Sequence, residues 1–141
     1  MIKSTNAVSI HFRRGDYVDQ PETNKTHGTC TKEYYQKAVD LMASRIVNPH
    51  FFLFSDEPEW IKENFSTAIP STHVAGYPGF IDMYLMGLCR HNIIANSSFS
   101  WWGAWLNINP DKIVIAPTQW FAIDEINNKA VDLVPSNWIR L

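Results

Sequence analysis

Cysteine is scarce in this chain. Its 141 residues hold two, Cys30 and Cys89, and two cysteines far apart in sequence make no disulfide framework. Charge of one sign is scarce as well. A formal net charge of -2 argues against nucleic-acid partners, which ask for a basic face. No apolar run approaches the roughly 20 residues of a membrane span, and a chain without a signal peptide is expected. A reducing, cytoplasmic setting is therefore expected. Internal repeats, low-complexity tracts and long charge runs are all missing, and the length suits one domain with its own core. Met1 stands only a few residues before a strand that reads as central, so a domain belonging to something longer is expected.

Aromatic residues are plentiful. Six tryptophans include the cluster Trp101-Trp102-Gly103-Ala104-Trp105. At helical spacing, Trp101, Trp102 and Trp105 are expected to anchor a helix in the core rather than to form a sugar platform. Short apolar runs alternate with helical patterns along the chain. Ala7 to Phe12 alternates Val8, Ile10 and Phe12 against Ser9 and His11, as a strand does. Asp19 to Thr31 is polar and broken by Pro21 and Gly28, which predicts a long loop. Thr31 is a plausible N-cap for a helix carrying Tyr35, Ala38, Val39, Met42 and Ile46. Phe51 to Phe54 reads as a buried parallel strand, and Pro58 opens a helix through Trp60, Ile61 and Phe65. A weaker strand near Thr72–Ala75 and a helix from Phe80 to Cys89 come next. The strand Asn92–Ala95, the tryptophan helix and the strand Ile113–Ala116 then follow. The tail predicts a short helix and a terminal strand near Trp138-Ile139. Strands alternating with helices predict an α/β fold, a Rossmann-like doubly wound parallel sheet.

In such a sheet, ligands bind beyond the carboxyl ends of the strands. Three strand ends carry suggestive groups. Arg13 and Arg14 end the first strand, where two guanidinium groups beside apolar residues call for an anion. Asp56 ends the second. Ser97 and Ser98 open the tryptophan helix, whose first N–H groups suit a phosphate; simple capping is an equally good reading for the serines and for Asp56. An Arg14–Asp16 ion pair is the structural alternative for Arg14. His27 with Cys30 and Cys89 with His91 make a poor zinc site, because the second pair is separated by a single residue.

Three segments together resemble the α-1,2-fucosyltransferases of glycosyltransferase family 11: His11-Phe12-Arg13-Arg14-Gly15-Asp16-Tyr17, Phe54-Ser55-Asp56-Glu57-Pro58, and Asn92 through Leu106 with its tryptophans. The resemblance covers residues 1–141 and continues to Pro135-Ser136-Asn137-Trp138. It implies the C-terminal, donor-binding half of a GT-B-type enzyme, with the N-terminal acceptor lobe absent. It further implies inverting transfer of L-fucose from GDP-fucose to the 2-hydroxyl of a galactoside, without metal or cofactor. Arg13 would then contact the β-phosphate, with Asp16 holding the arginines in place as the second catalytic-motif residue. His11 and Arg14 would lie beside the nucleotide, Asp56 would accept from the guanine edge, and Ser97 and Ser98 would hold phosphate oxygens. The acceptor glycan would be recognised through the missing lobe, and any membrane association would be peripheral, at the inner face. The alternative is a non-catalytic module that binds GDP or GDP-fucose without turning it over.

Overall fold

The computed structural model describes residues 1–141. After a 3₁₀ turn at Ile2–Ser4, strand β1 (Asn6–Phe12) runs buried from Ala7 onward. Its alternation divides two cores. Val8, Ile10 and Phe12 join Tyr35, Val39 and Met42 of helix α3 (Lys32–Arg45) on one face of the sheet. Ala7 joins Phe52, Phe54 and Met86 on the other. Thr31 caps α3 as expected, its hydroxyl accepting from the Tyr34 N–H at 3.1 Å. Two tyrosines tie α3 to the sheet: Tyr35 donates to the His11 carbonyl and Tyr34 to that of Ile94. Such bonds satisfy phenol groups that burial would otherwise leave unpaired.

Strand β2 (Pro49–Ser55), helix α4 (Pro58–Asn64), β3 (Ser71–Val74), α5 (Gly79–Leu88), β4 (His91–Ile93), α6 (Ser98–Trp105), β5 (Val114–Ala116), α7 (Asp124–Lys129) and β6 (Ile139–Arg140) complete the fold. Every pairing is parallel, and the spatial order is β3-β2-β1-β4-β5-β6. The chain thus winds outward in both directions from β1, which makes the sheet Rossmann-like with its switch point between β1 and β4.

Two expectations are overturned. The polar stretch before α3 is not a loop but a pair of short helices, α1 (Gly15–Asp19) and α2 (Pro21–His27). Pro21 occupies the first turn of α2, Glu22 lies near its amino end, and Lys25 and His27 lie near its carboxyl end. All three placements favour a helix. Gly28 ends it with φ of +64°. The tryptophans of α6, second, do not all face the core. Trp101 packs beside Val114 and Trp138, but Trp102 is 48% and Trp105 52% exposed. The buried side of α6 is made of Ser100, Gly103 and Ala104 instead. Small residues are needed there because α5 comes so close: a Cβ on Gly103 would meet the Met86 side chain at 3.0 Å.

Candidate functional site

The carboxyl edge of the sheet at the β1–β4 switch point is where the charged residues gather. Arg13, one residue past β1, is held on two sides. Its Nη2 donates to Asp16 of α1, and its Nη1 lies 3.2 Å from Oδ2 of Asp56, beyond β2. The Tyr17 ring sits below the guanidinium at 5.3 Å. Asp56 is fixed in turn by the Arg14 backbone N–H, which donates to Oδ1 at 3.1 Å. Gly15 makes this convergence possible. A Cβ there would collide with Oδ2 of Asp56. The guanidinium is therefore preorganised at the rim, yet its side chain remains 29% exposed and open to an anion.

Arg14 turns the other way, following the alternation of the strand. Its Nε pairs with Glu57 at 3.2 Å, and its guanidinium stacks 3.6 Å above the Trp60 ring of α4. The Arg14–Asp16 pair, the structural alternative for Arg14, does not form; Asp16 pairs with Arg13 and Arg14 with Glu57. Arg14 lines a separate small pocket with Phe12, Trp60 and Phe65.

His11 is 4% exposed, packs 5.3 Å from the Phe99 ring, and leaves Nδ1 without a hydrogen-bond partner. Burial, with the neighbouring Arg13 charge adding to it, pushes its pKa down to about 3. The imidazole is thus neutral at physiological pH. This fixes a sign. The unfolded chain binds a proton at His11 below pH 6.5 that the folded chain refuses until about pH 3, so stability falls as pH drops through that window. Stability curves between pH 7 and 4 are expected to lose a slope approaching about 1.4 kcal/mol per pH unit in a His11→Asn variant. An unchanged slope would mean that other groups govern the acid limb.

His11, Arg13 and Asp56 line one cleft of about 370 Å³, together with Tyr77, Gly79, Asp82 and Phe99. Phe99 belongs to the first turn of α6, so the helix start does reach this cleft. Ser97 and Ser98 precede Phe99 but do not line the cleft themselves. Ser97 is the N-cap residue, yet its side chain makes no capping bond. Ser98 is exposed, while Ser100 accepts from the Ala95 N–H. Capping by the Ser97 side chain is thus excluded, and its hydroxyl is uncommitted. Sequence reasoning misses Asp82. The only signal for it is an acid in the first turn of a helix that follows the Gly76-Tyr77-Pro78-Gly79 break.

The two His–Cys pairs stand on different faces, Cys30 against the α3 core and Cys89 in the α5 core. No three His, Cys, Asp or Glu side chains come together as a metal site would require. No helix is long and apolar enough to cross a membrane.

A doubly wound parallel sheet hosts many unrelated functions, so geometry alone stops at an anion-binding rim. Comparison with known proteins goes further. The family described as Glycosyl transferase family 11 matches residues 1–141. The chain belongs to this glycosyltransferase family. Among relatives of this family 11 chain, an α-1,2-colitosyltransferase of Escherichia coli is 45% identical over the whole chain and 49% of its own length. The O-antigen biosynthesis glycosyltransferase WbnK of the same species is 40% identical over 99% of the chain and 46% of its own length. Human galactoside α-(1,2)-fucosyltransferase 1 is 30% identical over 70% of the chain and 28% of its own length. The family 11 chain thus spans about half the length of its bacterial relatives.

Proposed function

We propose that this chain is the C-terminal, donor-binding lobe of a GT-B-type galactoside α-1,2-glycosyltransferase. In this reading it binds GDP-fucose and supports inverting transfer of L-fucose to the 2-hydroxyl of a galactoside held by a second lobe. The observation that carries it is the partly exposed Arg13, clamped by Asp16 and Asp56 at the switch point of a family 11 sheet. The fucosyltransferase names of the mammalian relatives support fucose as the sugar.

The chemistry follows from charge. As the bond from the sugar's anomeric carbon to the phosphate oxygen breaks, its electron pair stays on the departing diphosphate. The acceptor oxygen bonds to that carbon from the opposite face, and its proton leaves to a base. Negative charge therefore grows on the diphosphate beside Arg13 in the transition state. A fixed guanidinium gains more there than from the intact donor, so it lowers the barrier rather than only tightening binding. Asp16 and Asp56 act by orienting Arg13. The Ser97 hydroxyl, with Ser98 and the α6 N–H groups, is assigned the phosphates.

A second donor is favoured by one observation, the 45% identity to an α-1,2-colitosyltransferase. Colitose is fucose without its 3-hydroxyl, so the same rim serves either sugar. Donor hydrolysis and transfer to lactose, each run with GDP-fucose and with the colitosyl donor in excess chelator, test the proposal. Turnover or preferential GDP-sugar binding without metal is the expected result. Loss of activity restored only by a divalent ion would overturn the metal-free mechanism. Binding without hydrolysis or transfer would leave a non-catalytic module.

A further inference from the structure

A second cavity opens on the carboxyl edge of the sheet. It measures about 510 Å³ and shares no lining residue with the Arg13 cleft. The Arg13 cleft is walled by the start of α5, whereas this cavity lies on the α3 side, against Thr31, Tyr34 and Lys37. Three connections form it: Asn96 follows β4, Pro117 to Gln119 follow β5, and His27 to Thr31 join α2 to α3. Its polar groups are largely uncommitted. Neither Thr29, Thr118 nor Gln119 takes part in any side-chain hydrogen bond of the chain. His27 forms part of the wall, and its buried Nδ1 has no partner. Native proteins rarely leave such a group unpaired.

The lining defines the ligand. Lys37 is its only charged side chain, and it is exposed, so a diphosphate is served far better by the clamped guanidinium of Arg13. An apolar ligand would leave the hydroxyl and amide groups unpaired. A neutral molecule with many hydroxyls suits them, because each hydroxyl both donates and accepts. It also suits the His27 nitrogen in either tautomer. Pro117 and Ala122 offer apolar surface to its C–H groups. The volume falls within the range of small-molecule sites, about 300–1,000 Å³. Position adds a second constraint. The His27 ring stacks on Tyr17 at 4.9 Å, and Tyr17 lies 5.3 Å from the Arg13 guanidinium. A single ring therefore separates a wall of this cavity from the group that holds the leaving diphosphate. An inverting nucleophile must reach the anomeric carbon from the face opposite that diphosphate, so its pocket has to lie beside the donor cleft and not within it.

We propose that this cavity seats the acceptor galactoside on the present lobe, with Thr29, Thr118 and Gln119 bonding to sugar hydroxyls. The inference rests on the donor-site reading above, and it places part of acceptor recognition here instead of leaving all of it to the second lobe. That lobe then closes over a galactoside already positioned beside Arg13.

Backbone amide NMR of the 141-residue chain, titrated separately with lactose and with GDP, tests this. Lactose is expected to shift the amides of Thr29 to Thr31, Thr118 and Gln119, and to leave those of Arg13, Tyr77 and Gly79 in place. GDP should do the reverse. Thr118→Val combined with Gln119→Ala alters two exposed positions, so folding is not at stake. The double variant should bind lactose about tenfold more weakly, the worth of two neutral hydrogen bonds, and GDP unchanged. Lactose shifts confined to the Arg13 cleft overturn the assignment, and so does an unchanged lactose affinity in the double variant. A chain that binds GDP at Arg13 but shows no response to lactose overturns this inference alone. A chain that binds lactose in this cavity yet fails to bind GDP overturns the donor-site reading, and the acceptor role falls with it, leaving a galactoside-binding module.

Discussion

Arg13→Ala is expected to abolish measurable GDP binding while leaving the chain folded. The guanidinium is the cation that Asp16 and Asp56 hold at the rim, and it is partly exposed, so its pairs carry little of the fold's stability. Removing one preorganised donor to a developing anion costs about 3 kcal/mol, on the order of a hundredfold in turnover where turnover is measured. Arg13→Lys is expected to rescue little. A lysine offers a point charge without the planar fork that meets two acids and a phosphate together. Calorimetry reports affinity and circular dichroism reports the fold. Unchanged GDP affinity in a folded Arg13→Ala chain would make the arginine a strut for α1 and nothing more.

The largest effect on stability is expected at Asn96. Its side chain is 2% exposed, and its Nδ2 donates to three carbonyls, those of His27, Gly28 and Trp120, at 2.9–3.1 Å. One amide thereby ties the end of α2 and the segment before α7 to the end of β4. Asn96→Ala leaves those carbonyls without their shared donor. At about 1–3 kcal/mol for each buried group left unpaired, the loss is expected to reach about 3 kcal/mol. That corresponds to a fall in melting temperature of roughly 10 °C for a chain of this size. Asn96→Asp should be worse, because it sets a charge against carbonyl oxygens in a buried place. A melting temperature within two or three degrees of the unsubstituted chain would show that water or a rearranged loop replaces the amide.

The elements with strong periodicity are legible in the amino-acid sequence. The Val8-Ile10-Phe12 alternation, the Thr31 cap and the apolar run Phe51–Phe54 correspond to β1, α3 and β2, and their alternation with helices predicts the parallel sheet. What fails has a physical cause in each case. Pro21, Asn24 and the threonines of α2 are poor helix formers, so a helix held by its end charges and by Pro21 in its first turn looks like a loop. In α6 the large apolar residues suggest the buried face. The close approach of α5 reserves that face for Ser100, Gly103 and Ala104, and turns Trp102 and Trp105 outward. The clamp on Arg13 cannot be read from the chain at all, since Asp56 lies 43 residues away and meets it only through the β1–β2 pairing. Arg14 illustrates the limit from the other side. Adjacent in sequence to Arg13, it serves a different surface, because neighbouring residues of a strand point apart.

A crystal structure of the chain grown with GDP tests the central claim most directly. A diphosphate oxygen is expected within hydrogen-bond distance of the Arg13 guanidinium, at the carboxyl edge between β1 and β4. The contradictory result would be GDP lodged elsewhere, for instance in the cavity of about 510 Å³ between Thr31, Asn96 and Gln119, with Arg13 still bound only to its two acids.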